Sequence, residues 1–255
     1  MRIDYELDDQ DSPVGRAVSL AGPARLPDRD MALQGAYCRL EPLDAEAHGA
    51  DLWEAFSDDP SGRTWTYLGI GPFDSFQDFR EHLAQSAAAF DPFFYAIIDR
   101  ATGRAAGYAS YLRIDPGARS IEVGWITYSP RLQRSRVATD TMFVMMRNAF
   151  ETGYRRYEWK CNALNAPSIS AAHRLGFSFE GLFRQALVVK GRNRDTAWFS
   201  VIDRDWPQLR VAFEQWLAHD NFDAAGVQHM RLSELTAPVV AARWPSLTID
   251  ATVAD

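Results

Sequence analysis

Between Ile121 and Phe177 the chain lays down a strand, a turn reading QRSRVA, a helix, a second strand and the segment NAPSISAAHRLGF. This order constrains the fold more than any other feature, because it places an anion-sized site and a polar Asn/Ser pair at the ends of neighbouring strands. The first strand, IEVGWITYS, alternates. Ile121, Val123, Trp125 and Thr127 fall on one face and Glu122, Gly124, Ile126 and Tyr128 on the other, so Glu122 is expected to share a face with Tyr128. After Ser129-Pro130 the chain turns through Gln133, Arg134, Ser135 and Arg136 into a helix. Its apolar positions Ala138, Met142, Met145, Met146, Ala149 and Phe150 recur at helical spacing, and Gly153 ends it. The first turn of such a helix has N–H groups without intrahelical partners at the positive end of the macrodipole, which suits a pyrophosphate. Arg134 and Arg136 add positive charge. Arg156 to Cys161 reads as another strand, and Pro167 to Leu175 as a short helix closed by Gly176.

On these residues the chain resembles the GNAT superfamily of acyl-CoA-dependent N-acetyltransferases, most closely the RimJ/RimL-like branch that includes ribosomal-protein N-terminal acetyltransferases. The resemblance covers roughly Leu33 to Trp206. It implies an α+β fold: a central mixed, mostly antiparallel twisted sheet of about seven strands flanked by helices. It also implies acetyl-CoA as co-substrate, an amine-bearing acceptor, and no metal. Gln133, Arg136 and Ala138 occupy the positions of the family loop Q/R-x-x-G-x-G/A, with Arg136 where the family usually has Gly. The cofactor residues implied are Ile126, Tyr128, Gln133, Arg134, Ser135, Arg136, Val137, Ala138, Asn165 and Ser168. NAPSISAAHRLGF fits the family segment beside the thioester without a gap. There Ser168 would hydrogen-bond the sulfur and relay a proton to the departing thiolate. A thiol of pKa about 8.5 is a tolerable leaving group even without strong acid help. Both Asn165 and Ser168 also read as caps of the helix they open. A glutamate that some ribosomal-protein relatives carry in the next strand is replaced here by Leu187.

Acetyl transfer to an amine needs a neutral amine, and a positioned base contributes about 100-fold to 10,000-fold. Glu122 is the candidate base, as the only carboxylate on its strand; an ion pair with an arginine across the sheet is the alternative. Trp65 and Tyr67, in the stretch WTYLGIGPF between the first two helices, are candidate acceptor contacts, or belong to a loop packed on the core. Lys190, Arg192, Arg194 and Asp195 read as a charged hairpin tip, either solvated or binding the 3′-phosphate or an acidic acceptor group. Tyr154 and Tyr157 are further proton-donor candidates or packing residues.

Residues 1–31 read as an acidic, Pro-rich arm, 32–206 as the transferase domain, and 207–255 as a C-terminal helix followed by a tail. Strands are expected over Ala36 to Pro42, Phe93 to Asp99, Ala105 to Ile114 and Ile121 to Ser129, with helices over Ala45 to Phe56 and Ser75 to Phe90. A final hairpin is joined by Gly191-Arg192-Asn193-Arg194. The charge of −7 disfavours a nucleic-acid surface and suits an amine-bearing partner. Cys38 and Cys161 lack disulfide or zinc spacing, the N-terminus lacks an apolar leader, and no run is long enough to span a membrane, so the expected compartment is the cytoplasm. Two functions follow: an acetyl-CoA-dependent N-acetyltransferase acting by direct attack, or a GNAT-fold module that binds acyl-CoA or a partner protein without turnover. The acceptor, a small molecule or a protein N-terminus, is open at this point, as is the choice between monomer and homodimer.

Overall fold

The computed structural model describes residues 4–20 and 22–245. The ends of the arm and tail, residues 1–3 and 246–255, and Ala21 lie outside the described residues. A small hairpin, β1 (Glu6–Leu7) with β2 (Pro13–Val14), opens the chain. The main sheet contains β3 (Leu33–Gln34), β4 (Cys38–Pro42), β5 (Phe93–Asp99), β6 (Arg104–Asp115), β7 (Ser120–Tyr128), β8 (Arg156–Asn162), β9 (Ser178–Val189) and β10 (Arg192–Ile202). Its eight strands lie in the order β3-β4-β5-β6-β7-β8-β10-β9. Every neighbouring pair is antiparallel except β7 and β8. The helices are α1 (Ala45–Phe56), α2 (Phe76–Ala88), α3 (Arg136–Glu151), α4 (Ala166–Arg174), α5 (Trp206–Leu217) and the short α6 (Leu232–Thr236).

Two apolar clusters lie on opposite faces of the sheet. One packs α3 and α5 against Tyr95, Tyr111, Ile121, Val123, Tyr157 and Phe199. The other packs α1 and α2 against Phe94, Ala96, Ile98 and Tyr108 and contains no side chain from β8, β9 or β10. Helix starts follow their capping residues: Asp44, Ser75, Ser135 and Asn165 each accept a backbone N–H in the first turn of the helix they open.

Three expectations are corrected. The alternation along β7 breaks at a bulge, where Tyr108 pairs with Thr127 and Ser110 with Gly124, so Trp125 and Ile126 together face Ala109. Trp125 takes a left-handed φ of 48°. The extra residue moves everything beyond it to the opposite face. Ile126 and Tyr128 therefore join Ile121 and Val123 on the α3 side, while Trp125 packs on the α1/α2 side. Glu122 does not share a face with Tyr128. Second, the final hairpin turns at Lys190-Gly191, both with positive φ (49° and 72°), the geometry of a tight two-residue turn. Arg192, Asn193 and Arg194 are thus strand residues of β10 rather than its tip. Third, the described part of the expected C-terminal tail is not irregular throughout: it forms α6, and Trp244 packs against Phe179 at 5.0 Å between ring centroids. Five helical residues are too few to show a period.

The second half of the arm is fastened to the domain. Ala24 and Arg25 donate backbone N–H bonds to Pro116 and Thr152, and Arg29 donates to the carbonyls of Ala87 and Ala89 at the end of α2, both at 2.7 Å.

Candidate active site

β7 and β8 pair only from Ser120↔Arg156 to Val123↔Trp159. Beyond that β7 runs on to Tyr128 and β8 to Asn162 with no further pairing between them among the described residues, so the two strands part into a V. The bulge at Trp125 and Ile126 lies just above the crotch of this V.

α3 opens beside the far end of the V. Ser135 Oγ accepts the N–H of Ala138 at 3.0 Å, and Gln133 Nε2 is tied back to the Tyr128 carbonyl at 2.9 Å. Among the described residues, the backbone N–H groups of Arg134, Arg136 and Val137 have no acceptor. Arg134 takes the left-handed conformation (φ 59°), which turns successive N–H groups toward a common point, as an anion-binding nest requires. The left-handed position is Arg134 and not Arg136, so the side chain at 136 causes no backbone strain. The guanidinium of Arg136 lies over the Phe222 ring at 3.9 Å and faces Tyr37 at 5.6 Å. A cradle of free N–H groups at a helix start fits the pyrophosphate of acetyl-CoA. Tyr128 closes its floor: its hydroxyl lies 3.4 Å from the Ala138 carbonyl, and burial pushes the phenol well above its ordinary pKa.

On the other arm of the V, α4 brings Asn165 and Ser168 together. Asn165 Oδ1 accepts the Ser168 N–H at 3.2 Å, so the cap is made with the amide oxygen and the NH2 group is left to donate elsewhere. Ser168 Oγ accepts the Trp159 indole N–H at 3.1 Å, which fixes the oxygen and leaves the hydroxyl hydrogen to point away.

Glu122 sits at the crotch, 3% exposed. It is ion-paired with Arg113 at 2.5 Å and Lys160 at 2.8 Å. Both cations bind Oε2. Oε1 takes neither and lies on the side of Gly124, 3.7 Å from where a Cβ would stand there. The chain of charges continues across the sheet: Lys160 also binds Glu158, Glu158 binds Arg156, and Arg156 binds Glu180. Hydrogen bonds from Arg156 hold the Glu180 carboxyl below the usual range.

The loop between α1 and α2 reaches over this charged face. Lys190 Nζ donates to the carbonyls of Trp65 (2.9 Å) and Gly71 (2.6 Å), and Tyr67 donates its hydroxyl to Leu164 at 2.9 Å. Trp65 itself is a core residue, in edge contact with Phe73 and tilted against Phe56. Tyr154 and Tyr157 are core residues too; burial pushes the Tyr154 phenol up to about 12 and the Tyr157 phenol well above its ordinary value. A surface recess of about 420 Å3 between the arm and α3, lined by Arg25, Leu33, Val144 and Arg147, contributes nothing to the V. Sequence reasoning missed Lys160, which binds Glu122 from the neighbouring strand β8, and Trp198 on β10, over whose ring the Lys160 ammonium lies. Their signal was alternation: Glu158, Lys160 and Asn162 put polar side chains on one face of β8, away from Tyr157, Trp159 and Cys161.

A helix N-terminus set at the open end of two diverging parallel strands defines an acetyltransferase architecture. The model of the acetyltransferase (GNAT) domain matches residues 38–178, and the chain belongs to that family, whose members use acetyl-CoA as co-substrate. A GCN5-related N-acetyltransferase from Brucella melitensis is 45% identical, with 85% of this chain and 98% of that chain covered and a TM-score of 0.82. A GNAT-family protein from Chromobacterium violaceum is 39% identical over 77% of this chain and 99% of that one, at a TM-score of 0.70. An acetyl transferase from Salmonella typhimurium that modifies the N-terminal serine of a 50S ribosomal subunit protein shares the fold: 20% identity, 68% and 99% coverage, TM-score 0.57. A search of curated proteins found no match.

Proposed function

We propose that the chain is an N-acetyltransferase of the RimJ/RimL-like branch, working in the cytoplasm, where its two buried thiols stay reduced. It moves an acetyl group from acetyl-CoA to a primary amine by direct attack in a ternary complex. The observation that carries this reading is the divergence of β7 and β8 after Val123 and Trp159, with the α3 cradle at its mouth and Glu122 at its crotch. The N–H groups of Arg134, Arg136 and Val137 hold the pyrophosphate, and the thioester arm lies in the V past Ile126 and Tyr128. Asn165 donates its free NH2 to that arm. The acceptor approaches from the face roofed by the α1–α2 loop. Its amine gives a proton to Glu122 Oε1 and attacks the carbonyl carbon; the C–N bond forms, the C–S bond breaks, and the Ser168 hydroxyl relays a proton to the thiolate. Holding both reactants in one cleft supplies much of the rate, and the carboxylate adds to it.

The pairing of Glu122 with Arg113 and Lys160 favours one competing reading, a module that binds acyl-CoA without turnover. Calorimetric titration with acetyl-CoA, followed by thiol release with an amine panel, separates them. Micromolar binding with turnover supports the transferase; binding without turnover on any amine supports the module; no binding sinks both.

A further inference from the structure

Resting on the transferase reading, we infer that the acceptor carries an anionic oxygen group, a carboxylate or a phosphate, beside its amine, and that Arg194 receives it. Arg194 belongs to β10, on the same face as Thr196, to whose Oγ1 its Nε donates at 3.2 Å. Thr196 stands opposite Asn162 and Trp198 opposite Lys160, so Arg194, Thr196 and Trp198 continue the acceptor face that begins at Glu122 and Lys160.

Three observations mark Arg194 out. It is half-buried, and among the described residues no carboxylate lies within ion-pair distance of it. Arg113 and Arg156, the other arginines on this charged face, each have one. Its only side-chain bond uses Nε, which leaves the two terminal nitrogens, the flat fork that matches a carboxylate or phosphate. Burial pushes its pKa below the ordinary arginine value, and the neighbouring Arg113 charge pushes it the same way. An uncompensated guanidinium removed from water costs stability, and a ligand anion is the partner that would offset it.

The two ends of the face then carry opposite signs suited to one zwitterion. The free oxygen of Glu122 faces the amine and Arg194 faces the anion. Trp198, stacked on Phe183 at 4.2 Å on one ring face and capped by Lys160 Nζ at 3.7 Å on the other, is held in place beside Lys160 on the same face of the sheet. Its indole N–H is buried and, among the described residues, has no partner.

The test uses the full chain with saturating acetyl-CoA and a panel of α-amino acids, their amides and their aminophosphonate analogues. Thiol release and calorimetric binding are measured for wild type, Arg194→Gln and Arg194→Lys. The expected result is a preference of at least about tenfold for an acid over its amide, abolished in Arg194→Gln, partly kept in Arg194→Lys, with acetyl-CoA affinity unchanged. The aminophosphonate arm tells phosphate from carboxylate. Equal use of acids and amides by wild type, or a preference that survives Arg194→Gln, overturns the inference while the transferase stands. Arg194-dependent binding of an acid with no thiol release keeps the inference and removes the transferase. No Arg194-dependent binding or turnover of any acidic member overturns the inference.

Discussion

Beyond Val123 and Trp159 the two faces of the split sheet differ in the way they handle charge. On the α3 side, negative charge is met by backbone: unpaired N–H groups, a left-handed Arg134 and a helix start, with Ser135 and Asn165 fixing the geometry through capping bonds. On the other side the charges are side chains, linked in a row from Arg113 through Glu122, Lys160, Glu158 and Arg156 to Glu180. The difference teaches a division of labour. A ligand part common to all members of the family can be held by peptide groups, whose positions depend on fold alone. A part that varies between members needs side chains, which substitution can change.

Breaking the row in its middle is the harshest test of this contrast. Lys160, only 5% exposed, bridges Glu122 and Glu158, and Lys160→Met leaves the buried Glu122 and the half-buried Glu158 facing each other. Each keeps an arginine, Arg113 for Glu122 and Arg156 for Glu158, so a loss of about 2–3 kcal/mol is expected, read as a fall of roughly 5–10 °C in the thermal midpoint. An unchanged midpoint would mean that the row is solvated in solution. Next in size, Glu122→Gln should lower kcat about 100-fold with acetyl-CoA affinity intact. Full activity would move the base elsewhere. On the backbone side, Asn165→Asp keeps the cap acceptor and removes the NH2 donor, whereas Asn165→Ala removes both. If the NH2 contacts the cofactor, both variants should weaken acetyl-CoA about tenfold and only Ala should also cost about 1 kcal/mol of stability. Normal binding by Asn165→Asp would reduce the residue to a cap. The smallest effect concerns pH. The Glu180 carboxyl is held low by Arg156, so its stabilising contribution is present above the ordinary carboxylate value, about pH 4.3, and is lost as pH falls through the depressed one. Acid titrations of the thermal midpoint should therefore show a shallower decline below about pH 4.3 in Glu180→Gln than in wild type.

Most of the frame could be read from periodicity. α1 has the predicted bounds, and β5 does as well. The placement of Asn165 and Ser168 at the start of α4 was equally legible, because Pro and cap residues mark helix starts locally. What escaped depends on partners distant in sequence. The bulge at Trp125 exists because β6 and β7 have unequal counts between two pairings, which no window on β7 alone reveals. The two-residue turn at Lys190-Gly191 competes in the sequence with a four-residue connection over Gly191 to Arg194, and the observed turn moves Arg194 from a solvated tip to the inner face of a strand. The row of charges spans four strands, and sequence distance hides it.

The clasp of Lys190 has a consequence for how this protein can change. Its ammonium holds the loop by two main-chain oxygens, at Trp65 and Gly71, and those oxygens are present whatever residues fill the segment between them. Exchanging Thr66, Tyr67 or Gly69 leaves both Lys190 anchor points in place, so the loop over the charged face can be rewritten without being detached. A library varied at those three positions, with Lys190 and Gly71 kept, would show whether this loop sets the choice of the proposed acceptor.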